Sequence, residues 1–271
     1  MHVHTNCSDG ADAPRRVVER AAEVGLAALA VTDHDTVSGL HEASATALAF
    51  GIGFLNGVEI TSALDTLEVH VVGLGIAPES SHLRQVLDTL AQGRTERLDL
   101  ILDKLESLGL TVVRDNVLAR TAGVVGRMHI AQELREGGHV RGIQEAFNRY
   151  IGRGKPAFVP SARVPCGEAV EAIHAAGGLA FIGHPGLGGV RKKLPQLLQL
   201  PFDGIEAYHP QHKPGRVEEF IQLAESNHLL VSGGSDCHGR AKGRRPLMGK
   251  VRVPITRYEA IWKALGAGAR E

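Results

Sequence analysis

The 271-residue sequence has few aromatic side chains, few cysteines and no net charge. Aromatic residues make up 4% of the chain and hydrophobic residues 43%, so the core must consist of Ala, Val, Leu and Ile. That composition suits strands alternating with helices and argues against disorder. Three widely spaced cysteines do not make a disulfide framework. Since 30 basic and 30 acidic residues cancel, no global field draws the protein to nucleic acid or to a membrane.

Several motifs are also missing from the sequence. It has no signal peptide and no apolar run of about 18 residues, so we expect a cytoplasmic protein without a membrane partner. We find no DNA-binding module, no GxSxG elbow and no Walker A loop. A chain of 271 residues suits a single large α/β domain, such as a barrel, with an insertion. The pattern does not indicate an oligomeric state.

Helical and strand patterns alternate along most of the chain. Residues 14–24 predict a helix, with Pro14 in its first turn and Gly25 as its stop, and the apolar run 26–32 predicts a buried strand. The same signals predict further helices near 37–50, 167–178, 190–200 and 216–227, and further strands near 53–60, 67–75, 179–184, 202–208 and 229–236. Strands that alternate with helices imply a parallel sheet, open or closed.

The middle of the chain breaks this alternation. Residues 81–110 carry leucine and isoleucine at helical spacing, and the stretch continues to about residue 160 without a convincing strand. We predict that residues 81–160 form a helical insertion subdomain that covers the active site. Residues 1–80 and 161–271 then form a discontinuous α/β core.

Histidine is the abundant chemical group, with 14 residues. "HVHTNCSDG" at residues 2–10 places His2 and His4 on the same side of an extended strand, although a frayed terminus or a tag remnant gives the same pattern. Other histidines and carboxylates follow or lie within predicted strands. Because the carboxyl ends of parallel strands meet on one face, we expect nine candidate ligands to converge there. They are His2, His4, Asp9, His34, Glu59, His70, His184, Asp236 and His238.

The mixture of imidazole and carboxylate indicates the kind of metal. Such sets suit Mn, Fe, Co or Zn, whereas calcium and magnesium sites consist almost entirely of oxygen. Cys7 and Cys237 are interpreted as small buried residues or free thiols rather than ligands. Asp33 and Asp35 flank His34, and each either holds a ring nitrogen of a ligand or belongs to a solvated turn.

Six motifs in this order resemble the polymerase and histidinol phosphatase (PHP) family of metal-dependent phosphoesterases: "HVHTNCSDG", "TDHDT", "NGVE", "HVVGLGI", "GHP" and "GSDCH". The resemblance spans nearly the whole chain and is greatest to nucleoside 3',5'-bisphosphate phosphatases and related 5'-to-3' exoribonucleases. These carry a similar helical insertion and a stretch like "YIGRGKPAFV". The resemblance implies an α/β fold, namely a distorted (β/α)7 PHP barrel with about seven β/α units. Family members begin with an apolar strand and Asp-Leu, where this chain has only Met1, which predicts a weakened first strand.

The resemblance also implies two to three divalent ions, with Mn favoured and Fe or Zn as alternatives. One ion would be held by His2, His4, Glu59 and Asp236. A second would be held by Glu59, His70 and His184, with Glu59 bridging the two. A third would be held by Asp9, His34 and His238. Two ions that share a carboxylate would activate a water for in-line attack on phosphorus, so the mechanism needs no protein nucleophile.

Candidate substrate contacts lie mainly in the insertion. The resemblance favours Arg127 and His129 as ligands of a 5'-phosphate, and Arg153 and Lys155 are added from "GRGKPAF", although all four also fit solvated helix-end charges. We assign His209, Glu59 and Asp236 as catalytic residues. His209 would contact the scissile phosphate or protonate the leaving oxygen, and His212 is the alternative residue for that role. The basic run at 239–245 either steers a nucleotide tail or is a solvated loop. Five other histidines receive no role: His41, His82, His139, His174 and His228.

The predicted function is hydrolysis of the 3' phosphoester of a 5'-phosphorylated nucleotide, either a small 3',5'-bisphosphate or the 5' end of an RNA. The first alternative is a phosphatase of another small phosphomonoester such as histidinol phosphate, which needs no second phosphate site. The second is a non-catalytic PHP-like module that binds a partner, which predicts eroded ligands. The complete set of nine candidates argues against it.

Overall fold

A computed structural model describes residues 1–239 and 247–268. Its centre is a curled seven-stranded sheet in the order β1-β2-β3-β5-β6-β7, with β4 paired to the far end of β2. The strands are β1 Ala28–Val31, β2 Gly53–Leu64, β3 Leu67–Leu74, β4 Val164–Pro165, β5 Leu179–Ile182, β6 Gly204–Tyr208 and β7 Leu230–Gly233. The alternating α/β fold is confirmed, whereas β4 was not predicted.

The sheet is mixed, which corrects the prediction of a parallel sheet. Strand β3 runs antiparallel to both β2 and β5, while the other pairs are parallel. The reason is the connection between β2 and β3, in which only Asp65 and Thr66 separate the two strands. A two-residue turn joins antiparallel neighbours, because a parallel connection needs a crossover of a dozen or more residues.

The first four residues of the chain lie between the segments that follow β1 and β7, the two outer strands of this order. The carbonyl of Val3 accepts a hydrogen bond from the Thr32 amide just after β1 (2.9 Å), and the His4 amide donates to Cys237 after β7 (3.0 Å). Val3 and Cys237 form an isolated bridge rather than a regular strand. The pairing nevertheless fixes His2 and His4 between the segments that carry other ligands.

The helices cover the sheet and extend beyond it. They are α1 Pro14–Glu23, α2 Leu40–Ala49, α3 Ser81–Ser107, α4 Arg114–Leu118, α5 Arg127–Glu136, α6 Ile143–Ala146, α7 Cys166–Ala175, α8 Leu194–Leu197, α9 Pro214–Ser226 and α10 Ile255–Gly268. A π-helical turn spans Phe147–Ile151, and a 3-10 turn spans Val190–Lys193. Each predicted helix is present, whereas α10 was not predicted. Within the described residues, no helix is both long and apolar enough to span a bilayer.

Residues 81–160 are helices and loops throughout. The first half of α3 buries Leu83 and Leu90 in the main core, whereas the second half packs Leu98 and Leu105 against α5 in a separate hydrophobic core. Gly93 lies between the halves, where a Cβ would come within 2.3 Å of the Ala162 Cβ. The close approach of α3 to the chain leading into β4 therefore requires glycine here.

Candidate metal centre

The structure brings all nine predicted ligands into one cluster at one face of the sheet. Glu59 lies at its centre and is completely buried. Its Oε1 lies 2.6 Å from His70 Nδ1 and 2.9 Å from His184 Nε2. Its Oε2 lies 3.1 Å from His2 Nε2 and 3.2 Å from His4 Nε2. Each carboxylate oxygen thus faces a different group of imidazoles, which is the geometry a bridging ligand requires.

Two of the nine do not lie at strand ends as predicted. Strand β2 continues to Leu64, so Glu59 lies within it, and His70 lies within β3 opposite Thr61. Because β3 is antiparallel, its first half lies beside the carboxyl ends of its neighbours, which places His70 on the same face. The two side chains therefore lie beside the other candidates, but not for the strand-end reason that the sequence suggested.

The first group consists of four atoms whose spacing matches ligands of a single ion. His2 Nε2 and His4 Nε2 are 3.2 Å apart, and His4 Nε2 is 3.0 Å from Asp236 Oδ1. The distance from His2 Nε2 to Asp236 Oδ1 is 3.7 Å. Tetrahedral ligand atoms about 2.0–2.1 Å from a metal are separated by about 3.3 Å. The donor set of His2, His4, Glu59 and Asp236 therefore fits a divalent cation.

A second and a third group adjoin the first. His70 Nδ1 and His184 Nε2 lie 3.3 Å apart, and both contact Glu59 Oε1. His34 Nδ1 lies 3.1 Å from Glu59 Oε2, so His34 is also placed to share this group. On the other side, Asp9 Oδ1 lies 2.9 Å from His238 Nε2 and 3.9 Å from His34 Nε2, with His4 close by.

Charge keeps the central carboxylates ionised. Burial raises the pKa of Glu59, but the nearby imidazoles of His34, His70 and His2 more than offset this and hold its pKa well below the usual range. Burial likewise raises the pKa of Asp236, while hydrogen bonds from His209 and His4 hold it well below the usual range. The cluster therefore presents anionic oxygens and imidazole nitrogens together, a donor set that suits transition metals.

Asp33 and Asp35 differ from both sequence interpretations, because among the described residues neither hydrogen-bonds a ligand imidazole and neither lies in a solvated turn. Asp33 is buried and accepts hydrogen bonds from the amide (2.7 Å) and hydroxyl (2.6 Å) of Thr5, and so orders the loop that carries Asp9. Asp35, also buried, accepts from the Thr61 amide (2.6 Å) and from Arg94 Nε (2.8 Å). The two side chains organise backbone and an arginine.

The remaining predicted residues near the cluster separate into two kinds. His209 is buried, and its Nε2 lies 3.3 Å from Asp236 Oδ2, while its Nδ1 accepts from the Gln211 amide (3.2 Å). His212 donates through Nδ1 to Ala207 (2.8 Å) and accepts at Nε2 from the Gly186 amide (3.1 Å), so both of its nitrogens join backbone segments. Cys7 and Cys237 are buried free thiols outside the ligand groups formed by the described residues.

A cavity of about 160 Å³ adjoins the cluster. The metal side is lined by Asp9, His34 and His70, and the insertion side by three arginines, Arg94, Arg97 and Arg127. The Arg97 residue is 8% exposed, and its Nη2 has no hydrogen-bond partner among the described residues. Burial, followed by the charges of Arg127 and Arg94, lowers the pKa of Arg97 to about 9. Three neighbouring guanidinium groups, one of them with an unpartnered nitrogen, could bind an anion here, although the carboxylate of Glu68 also lines the cavity.

Only one of the four predicted phosphate contacts lines this cavity. Arg127 does, with its guanidinium 5.7 Å from the centroid of the Phe147 ring and 5.5 Å from that of Phe158. His129 is buried, and its Nδ1 accepts from the Gly126 amide (2.9 Å), so it caps α5 and lies outside the cavity lining. Arg153 and Lys155 are exposed and do not line the cavity. Residues 240–245 of the basic run lie outside the described residues.

Sequence reasoning missed Arg94, Arg97 and Glu206. The two arginines are three residues apart on α3, a spacing that places both on one helix face, and this was an available signal. Glu206 stands between Ile205 and Ala207 in a strand with an otherwise apolar pattern, and it is 1% exposed. A carboxylate in such a position requires buried partners, which was the second available signal.

Comparisons with known proteins agree with this geometry. The PHP domain family matches residues 1–151, and the chain belongs to that family. This protein is therefore a hydrolytic, metal-dependent phosphoesterase. The chain is 36% identical to a 3',5'-nucleoside bisphosphate phosphatase from Chromobacterium violaceum, over 98% of this chain and 96% of the relative. It is 35% identical to a 5'-3' exoribonuclease from Haemophilus influenzae, over 88% and 89% of the two chains.

A solved structure from Chromobacterium violaceum, described as an amidohydrolase with bound sulfate and no metal, has the same fold. Its TM-score is 0.82 at 33% identity, covering 98% of this chain and 95% of the other. A protein from Bifidobacterium adolescentis, assigned to the metal-dependent phosphoesterases, gives a TM-score of 0.87 at 28% identity, with 96% and 93% covered. Both likenesses extend over the sheet and over residues 81–160.

Proposed function

We propose that this protein hydrolyses the 3' phosphoester of nucleotides that carry a 5'-phosphate, either small 3',5'-bisphosphates or 5'-phosphorylated RNA ends. The observation that carries the proposal is one cavity with two different walls. Asp9, His34 and His70 of the ligand cluster line one wall, and Arg94, Arg97 and Arg127 line the other. A substrate with two phosphate groups has an anion for each wall.

We propose two to three divalent ions in the cluster, with manganese as the main candidate and iron or zinc as alternatives. His2, His4, Glu59 and Asp236 would hold one, Glu59, His70 and His184 a second, and Asp9, His34 and His238 a third. Bound there, such ions would activate water for in-line attack and offset the charge on the phosphate oxygens. Glu59 and Asp236 fix the positions of the ions, which makes them the residues on which turnover depends most.

His209 is proposed as the residue that acts on the leaving oxygen. Its Nδ1 accepts from the Gln211 amide, so in the neutral ring the proton lies on Nε2, which faces Asp236. That proton is available at the edge of the cluster without a change of tautomer. A neutral imidazole donates this N–H as a hydrogen bond to the scissile phosphate or to the departing oxygen, and it stabilises the negative charge there while the proton stays on the ring.

The arginine wall is proposed to hold the phosphate that does not react. Asp35 accepts hydrogen bonds from Arg94, and the Arg127 guanidinium contacts the rings of Phe147 and Phe158, so both guanidinium groups are ordered before the ligand binds. Ordered cations give up little entropy on binding, and charge-assisted hydrogen bonds to phosphate are strong. The names of the relatives from Chromobacterium violaceum and Haemophilus influenzae support a nucleotide or an RNA as the substrate.

We also propose that the core is a distorted (β/α)7 barrel and that residues 81–160 are an insertion subdomain over its active site. The separate hydrophobic core within residues 98–157 supports the subdomain. The first turns of α3 belong to the main core, so the packing divides within the helix rather than at its start.

A substrate panel tests the proposal with the metal present after purification. It contains a nucleoside 3',5'-bisphosphate, the matching 3'-monophosphate, a 5'-phosphorylated RNA oligomer, its 5'-hydroxyl form and histidinol phosphate. We expect kcat/KM to be at least 30-fold higher for substrates with a 5'-phosphate than for their partners without it. Glu59→Gln protein purified in parallel controls for contaminating phosphatases. Equal rates with and without the 5'-phosphate, or a preference for histidinol phosphate, would refute the proposal.

A further inference from the structure

Glu206 is a buried carboxylate that contacts two of the three ligand groups and belongs to none of them. It lies on β6 and is 1% exposed. Its Oε1 lies 2.9 Å from the ring Nδ1 of His2, and its Oε2 accepts a hydrogen bond from the backbone amide of His184 (2.7 Å). Both bonds fall in the range of well-formed charge-assisted hydrogen bonds. The two partners belong to different proposed metal sites.

The contact with His2 fixes the state of that imidazole. An ionised carboxylate only accepts hydrogen bonds, so Nδ1 of His2 must carry a proton. In the neutral ring, the lone pair then lies on Nε2, which is 3.1 Å from Glu59 Oε2 and 3.2 Å from His4 Nε2. The ring therefore presents a lone pair to the first ligand group, whereas the other tautomer would present an N–H.

The contact with His184 holds an unfavourable backbone conformation. His184 has a φ of 22°, on the positive side that non-glycine residues rarely adopt. A conformation of this kind persists only when its surroundings fix it. The bond to Glu206 is one such constraint, and the Gly186 amide bonded to His212 two residues later is another. Together they direct His184 Nε2 toward Glu59 Oε1.

We infer that Glu206 is a positioning residue that sets the geometry of two metal sites at once, through the His2 ring and through the His184 backbone. The inference rests on the proposed metal centre. Removing a carboxylate that supports a metal-bound histidine typically weakens metal affinity by about 10- to 100-fold. Because Glu206 supports a ligand in each of two groups, we expect its loss to weaken two ions rather than one.

The test is a calorimetric titration of chelator-treated apoprotein with Mn²⁺ alone, so that no substrate enters the result. Glu206→Gln keeps the shape, but its amide nitrogen cannot accept from one of the two donors, and its carbonyl oxygen accepts from the other without the charge that strengthens the bond, so both contacts are weakened. We expect two of the bound ions to bind about 10- to 100-fold more weakly. Glu133→Gln is the matched control, since Glu133 is 9% exposed and bonds Asn116 and Arg120 away from the cluster. Its Mn²⁺ affinities should equal those of the wild type.

Glu206→Asp keeps the charge but is one methylene shorter, so it cannot reach both donors as Glu206 does. We expect an intermediate loss, and this variant carries the test if Glu206→Gln does not fold, as judged by circular dichroism of the apoprotein. Affinities within threefold of the wild type in a folded variant, or weakening of only one ion, would overturn the inference. Wild-type protein that binds no Mn²⁺ would instead refute the proposed metal centre.

Discussion

The two walls of the cavity beside the ligand cluster differ in how their charges are balanced. On the sheet side, imidazoles and carboxylates alternate, and Glu59 alone contacts five histidines within 3.2 Å. On the helical side, Arg97 has like-charged neighbours and a buried nitrogen without a partner. The sheet side has the nitrogen and oxygen donors that bind cations, whereas the helical side has the cations that bind an anion. We therefore propose that one fold separates the site of chemistry from the site of recognition.

Glu59→Gln should have the largest effect, because Glu59 is the residue shared by two ligand groups. We expect turnover to fall at least about 1000-fold, since the amide loses the charge that both ions require. The fold should remain, because Gln has the shape of Glu. Measured kcat, metal content by elemental analysis and circular dichroism check these expectations. Activity that survives both this change and treatment with chelators would show that the sheet side does not use metal.

Removal of the arginine contact tests the other wall. Arg127→Ala should lower kcat/KM for a 5'-phosphorylated substrate by about 30- to 1000-fold, or about 2 to 4 kcal/mol, the worth of charge-assisted pairs to phosphate. The same change should have little effect on a substrate without the 5'-phosphate. Remote binding energy of this kind is realised in kcat/KM because it positions the reacting phosphoester.

The matching control is the double cycle of enzyme and substrate. Loss of the 5'-phosphate and loss of Arg127 should not add, because each removes the same contact. Arg153→Ala serves as a second control, since Arg153 is exposed and lies outside the cavity lining. Additive effects would mean that the helical wall recognises something other than this phosphate.

The sequence was informative for one wall and much less so for the other, for a physical reason. Metal ligands need rare residue types at fixed local spacing, so His2, His4 and Asp236 are visible in short motifs. Arg94 and Arg97 lie on an ordinary amphipathic helix, and nothing local shows that α5 brings Arg127 beside them. The antiparallel direction of β3 follows from the two-residue connection after β2, and the helices follow from local periodicity, whereas the meeting of α3 and α5 depends on long-range packing.

The two walls are joined by a loop in which Gly123 is critical. The Ala122 and Val124 amides donate to the carbonyls of Asn6 and Cys7 (both 2.9 Å), so this loop holds the segment that carries Asp9. A Cβ on Gly123 would lie 2.2 Å from the Cys7 carbonyl oxygen. Gly123→Ala should therefore separate the segments, destabilise the protein by about 1–3 kcal/mol and lower kcat/KM by about tenfold.

Gly142→Ala is the matched control for that change, because a Cβ at Gly142 meets nothing within 4 Å. Denaturant unfolding and kinetics on the same preparations give the two measurements. If Gly123→Ala matches Gly142→Ala in both, the loop does not hold the Asp9 segment, and the two walls are independent in function as well as in charge.

The smallest expected effect concerns the stability of the arginine wall itself. Burial and the charges of neighbouring arginines lower the pKa of Arg97 to about 9. The charged guanidinium is therefore less stable in the folded state than in the unfolded chain. The penalty is present at neutral pH, where the guanidinium is charged in both the folded and the unfolded state. Arg97→Met, which keeps much of the side-chain volume, should therefore stabilise the ligand-free protein by about 1 kcal/mol.

A nucleoside 5'-monophosphate should raise the Tm of the wild type by several degrees but that of Arg97→Met by much less, because an anion relieves the repulsion only where the third cation is present. Thermal unfolding at pH 7 with and without the nucleotide makes both comparisons. A variant that is less stable than the wild type, yet stabilised equally by the nucleotide, would assign Arg97 to packing, and the cavity would then need only Arg94 and Arg127 to hold its anion.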